Sequence, residues 1–148
     1  MFDRRYLNLK GLLLVGLALS LGGCDSPTLV SITITPTVQY FSWSASGGLS
    51  TQFTAIGTFD QGNHPKTTQD ITNEVTWKSN APQVATVSST GLVTTTGTAY
   101  GGSNITASMN GFTGLIIANA TADVCPPGQV ASSTGCSTST TSGIRTAR

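Results

Sequence analysis

Residues 75–93, VTWKSNAPQVATVSSTGLV, break into three short extended segments separated by two turns, and that punctuation decides the fold. Side chains alternate along extended backbone, so Val75 and Trp77 share one face of a strand over residues 74–79. Asn80-Ala81-Pro82 turns the chain into a short strand at 84–87, Ser88 to Gly91 turns it again, and residues 92–96 form a third strand ending at Gly97. Such short strands cannot bury their apolar faces alone and must pack sheet on sheet.

The same grammar extends in both directions. Upstream, residues 29–35 alternate, with Val30, Ile32 and Ile34 on one face and Ser31, Thr33 and Thr35 on the other. Pro36 interrupts the ladder, and residues 38–43 resume it before the turn at Ser46-Gly47-Gly48. Residues 51–59 place Phe53, Ala55, Gly57 and Phe59 together, and residues 60–69 read as a polar loop around Gly62, Asn63 and Pro65. Downstream, Ile105, Ala107 and Met109 point one way from residues 104–109. Asn110-Gly111 supplies a type I′ hairpin signal, because both residues tolerate positive φ, and a last strand runs over 112–124. With no helical period after residue 24, the pattern predicts an all-β, two-sheet sandwich of about seven short strands.

In this order, Val30-Ser31-Ile32-Thr33-Ile34-Thr35-Pro36, Gln52-Phe53-Thr54-Ala55, Val75-Thr76-Trp77-Lys78-Ser79, Val84-Ala85-Thr86-Val87, Gly91-Leu92-Val93 and Ile105-Thr106-Ala107 resemble the successive signatures of the bacterial immunoglobulin-like domain, group 2. The resemblance covers residues 29–124 and implies an immunoglobulin-like sandwich with Trp77 as the core tryptophan of the third strand. The cluster Tyr40-Phe41-Ser42-Trp43 is richer in aromatics than the family usually shows there, and the domain occurs in one copy. The second and sixth strands carry no cysteine, so packing around Trp77 must join the sheets, with Phe53, Val75, Val87, Ile105 and Ile117 as its expected neighbours.

Ahead of the domain, Arg4, Arg5 and Lys10 stand against Asp3, and residues 11–21 are apolar or small, the two parts of a signal peptide over residues 1–23. The apolar run is too short to span a bilayer. Leu21-Gly22-Gly23-Cys24 resembles the lipobox of bacterial lipoproteins, although Gly at position 22 is less usual there than Ala or Ser. The resemblance implies cleavage before Cys24, a diacylglyceryl group in thioether linkage to its sulfur, and a short lipidated tether over residues 24–28. The remaining 125 residues carry Lys66, Lys78, Arg145 and Arg148 against Asp25, Asp60, Asp70, Glu74 and Asp123, a net charge of −1. The chain has no basic patch with which to hold nucleic acid.

Cys125 and Cys136 are the two cysteines left, and in an exported chain they are expected to pair, since two thiols without a nearby histidine are too few for a metal site. Residues 125–148 then form a disulfide-closed loop and a Ser/Thr-rich tail too polar to fold alone. His64, Asp60, Asp70 and Glu74 cluster near one loop without the spacing of a catalytic or calcium motif, so they read as solvated charge. Tyr40, Phe41 and Trp43 are the candidate ligand-binding residues, one face of that segment packing inward and the other exposed. The sequence as a whole points to a non-catalytic lipoprotein without cofactor or metal. It would be held by membrane lipid at Cys24, in a structural, adhesive or ligand-binding role toward an envelope protein or polysaccharide. The alternative is a carbohydrate-binding accessory lipoprotein using an exposed aromatic patch.

Overall fold

Extended backbone dominates the computed structural model, which describes residues 26–111 and 114–138. The first six strands are β1 (Thr28–Thr35), β2 (Val38–Phe41), β3 (Ser50–Gln52), β4 (Thr54–Gln61), β5 (His64–Asp70) and β6 (Thr76–Ser79). The next six are β7 (Ala85–Val87), β8 (Leu92–Thr95), β9 (Gly101–Gly111), β10 (Gly114–Val124), β11 (Gln129–Ser132) and β12 (Gly135–Thr138). A four-stranded sheet in the order β2-β10-β9-β6 is antiparallel except that β2 runs parallel to β10. Two three-stranded sheets, β1-β4-β5 and β3-β8-β7, share the extended run that breaks at Phe53, and β11 pairs with β12 alone.

One apolar cluster joins these sheets. Phe53, Ile71, Val93 and Ile105 are fully enclosed, each contributing about 1.5–3 kcal/mol through burial, and Val75 and Trp77 are buried beside them. The Trp77 indole Nε1 donates to the Thr72 carbonyl at 2.8 Å, and the Thr72 hydroxyl accepts from the Ala55 N–H at 2.9 Å. A tryptophan can be buried here because its one polar atom is satisfied. Gly91 closes the cluster at φ +80°: a Cβ there would sit 2.3 Å from the Phe53 carbonyl oxygen and 3.1 Å from the Trp77 ring, so no other residue fits. In the middle of β10, between Ile116 and Val124, the inward side chains are Ala118, Ala120 and Ala122, small enough for β1 to pack closely across them.

The structure moves several expected positions. Leu29, Ile32 and Ile34 face inward while Val30 is exposed, because a bulge between Leu29 and Ser31 inserts one residue and reverses the alternation at the base of β1. Residues 64–69, expected in the polar loop, belong instead to edge strand β5 (His64–Asp70), every residue of which is exposed. Asn110 and Gly111 do not form the hairpin turn; they are strand residues of β9 and pair with Leu115 and Gly114. Ile117, expected beside Trp77, is 54% exposed, because the alanines take the inward positions of β10. Val87 is half-buried at the margin of the cluster. Splitting at Phe53, together with β5, β11 and β12, raises the strand count to twelve. The loop after Cys125 is a hairpin through Thr138, while the rest of the polar tail and the lipobox with Cys24 lie outside the described residues.

Candidate functional site

The two ends of the sandwich differ. At one end β1 begins beside the hairpin of β9 and β10, where a Cβ on Gly111 would lie 2.8 Å from the Leu29 carbonyl oxygen. From there β10 runs through 11 residues to Val124, which pairs with Gly101 on one side and Phe41 on the other. At about 3.3 Å per residue, the two ends are roughly 35 Å apart. The far end therefore gathers the segments that carry Phe41, Trp43, Tyr100 and Cys125.

Each of these side chains has a separate setting. Phe41 is 5% exposed and belongs to the core. Trp43 is half-buried and meets Tyr100 edge to face, with ring centroids 5.8 Å apart and planes at 90°. This arrangement sets the positive edge of one ring against the negative face of the other. Tyr100 is 55% exposed, so the pair offers solvent an aromatic surface supported from below. Tyr40, two strand positions from Ser42, lines a groove of about 410 Å³ together with Val38, Gln39, Ala131, Ser132 and Ser133.

That groove has one wall made by the free edge of β2 and another made by β11. The Ala131 N–H donates to Ser42 Oγ at 3.0 Å, and Gln39 Nε2 donates to the Tyr40 carbonyl at 2.8 Å. Cys125 and Cys136 are disulfide-bonded with Cα atoms 5.4 Å apart, and the Cys125 N–H continues the ladder by donating to the Phe41 carbonyl at 2.8 Å. The hairpin is thus fastened by the disulfide to Cys125, which is itself bonded to Phe41 of β2, and by the Ala131 N–H to Ser42 Oγ, with little apolar burial of its own: Val130 is 45% exposed.

The carboxylates do not converge. Asp60 Oδ1 accepts from the Gly62 N–H at 2.9 Å and its other oxygen lies 3.7 Å from Lys66 Nζ. Glu74 accepts from Gln69 Nε2 at 3.3 Å. Hydrogen bonds from the Thr72 side chain and then its backbone N–H hold the Asp70 carboxyl below its ordinary value. His64 opens β5, exposed and paired with Gln61. Among the described residues no three His, Cys, Asp or Glu side chains come close enough to hold a metal ion.

The structure thus separates the three aromatics read together from the sequence, and it adds Tyr100, which stands in a loop without any period to mark it. What the far end can do chemically is stack and donate: a ring face, a phenol and a groove rimmed by hydroxyls suit the apolar face of a sugar or a protein side chain better than a reacting group.

Two comparisons agree with this architecture. The model of the bacterial Ig-like domain (group 2) matches residues 29–115. A stretch of 82 residues, 55% of the chain, is 43% identical to Ice-binding protein 1 of Shewanella frigidimarina (strain NCIMB 400), and covers 8% of that protein's length.

Proposed function

The chain belongs to the bacterial Ig-like domain (group 2) family, and from that premise we propose that it is a non-catalytic binding module of the cell envelope, held to a membrane by lipid on Cys24. Its ligand is an envelope protein or polysaccharide taken up at the aromatic end. The observation that carries this reading is the Trp43 and Tyr100 pair, half-buried against exposed, at the end opposite the start of β1. A rigid sandwich that is tethered at one end presents the other outward, which is where a binding surface is of use.

The full chain, produced in a bacterium, is tested for retention on envelope polysaccharides and for capture of envelope proteins; the name of the relative adds ice crystals to the surfaces tried. Retention that is lost in Trp43→Ala and in Tyr100→Ala, with circular dichroism unchanged, supports the reading. Undiminished retention in both variants overturns the aromatic end as the site. Labelled palmitate that enters the chain and is lost in Cys24→Ser supports the anchor, and unchanged labelling overturns it. Retention on polysaccharide alone favours the carbohydrate-binding accessory role, for which the exposed Tyr100 ring is the specific support.

A further inference from the structure

We propose that Leu115 and Ile117 form an apolar foot that rests on the surface of the bilayer, fixing which way the domain stands; this rests on the lipid anchor at Cys24 proposed above. Leu115 is 60% and Ile117 54% exposed, the two most exposed aliphatic side chains among the described residues. They lie two apart on β10 and on its outward face, since Ala118 and Ala120 point into the core. Their neighbours across the ladder are uncharged: Asn110 faces Leu115, and Ser108 faces Ile117 with Thr76 beyond it.

The position of these residues selects their occupant. From Cys24 to Leu29 the chain advances five residues, a reach of at most about 18 Å when fully extended. The Leu29 carbonyl lies against Gly111, which pairs with Gly114, the residue before Leu115. A Cys24 held at the lipid surface therefore keeps the end of the domain that carries Leu115 close to the headgroups. One row further along the same outward face, Lys78 pairs with Thr106, opposite Asn119. A lysine at that height can bend its stem toward anionic headgroups while the aliphatic pair enters the interface. Aliphatic groups inserted into the headgroup and acyl boundary bind through the area they remove from water. A tether that short with an apolar contact beside it leans the outward face of β10 toward the lipid at the tethered end, with Trp43 and Tyr100 at the end away from it.

The test uses the full lipidated chain in vesicles of phosphatidylcholine and phosphatidylglycerol whose acyl chains carry bromine, a contact quencher of tryptophan. Leu115→Trp and Tyr100→Trp are each read as added emission over the wild-type chain, and an unchanged thermal midpoint certifies the fold of each. Loss of most of the added emission in Leu115→Trp, with that of Tyr100→Trp preserved, supports the foot. Preserved emission in Leu115→Trp on a chain that carries its acyl groups overturns the foot and leaves the anchor standing. A wild-type chain without acyl groups overturns the anchor, and the foot with it. A dimer in sedimentation that becomes a monomer when Leu115→Asp and Ile117→Asp are combined assigns the face to a second copy and overturns the bilayer contact.

Discussion

The two tryptophans, 34 positions apart in the sequence, do opposite work. Trp77 is 8% exposed, its indole N–H is bonded to the Thr72 carbonyl, and its ring packs beside Gly91, which its positive φ and the Phe53 carbonyl oxygen force to be glycine. Trp43 is half-buried at the margin of the core, and its ring leans on Tyr100. Both stand in or beside alternating extended segments, so the residue type alone does not separate structure from binding. What separates them is whether the polar atom has been satisfied inside the fold and whether the backbone around the ring has been shaped to it.

The strongest way to break this contrast is Trp77→Ala, expected to cost about 3–5 kcal/mol, since a large buried side chain is lost and Gly91 cannot fill the space. A denaturation midpoint that moves less than that of Trp43→Ala would reverse the assignment. Next, replacing Cys125 and Cys136 by alanine opens a link between residues 11 apart, worth about 2–3 kcal/mol to the segment it closes. The loss should fall on β11 and β12, as faster amide exchange there, while the transition read by Trp77 emission moves little. Thr72→Val leaves the Ala55 N–H without its acceptor while keeping the carbonyl that Trp77 uses, and should cost about 1–3 kcal/mol by chemical denaturation, which tests whether the polar bonds beside Trp77 are as structural as its packing.

Smaller effects sharpen the other side. Tyr100→Ala removes an edge-to-face pair worth about 0.5–1.5 kcal/mol, so the midpoint should shift slightly while ligand retention falls sharply. The smallest effect belongs to Asp70, whose folded-state carboxyl titrates below its ordinary value of 3.8. A depressed carboxyl contributes stability above the unfolded value and loses it as pH falls through the folded one. The gap in midpoint between the wild type and Asp70→Asn should therefore narrow below about pH 3.8 and stay constant toward neutrality.

Much of the fold is legible in the order of the residues. The alternation of Val75 and Trp77 and the turns at residues 80–82 and 88–91 place the central strands, because apolar side chains mark their inner face. Strand β5 is hidden for the converse reason: an exposed edge strand has no apolar inner face to mark, and Pro65 reads as a breaker although an edge tolerates it. Val30 is misplaced by a bulge, which requires no residue of unusual type. On β10, large aliphatics at 115 and 117 draw the inward assignment, yet the close approach of β1 demands the small side chains at 118, 120 and 122. The candidate site is less legible than the core. Phe41 and Trp43 stand out as aromatics, but Tyr100 can be found only through its partner, since a loop aromatic carries no periodic signal.

The parallel pairing of β2 with β10 bears on what happens when the protein is pulled. The chain enters β2 at Val38 and leaves β10 at Val124, so a tension applied between the two termini draws these strands along their axes in opposite directions. Hydrogen bonds loaded in that manner are sheared together rather than unzipped in turn, and rupture must break the whole ladder at once. A pull between the two termini would thus meet its resistance in four paired residues, Val38 to Phe41, which makes this short edge of the main sheet its mechanical fuse.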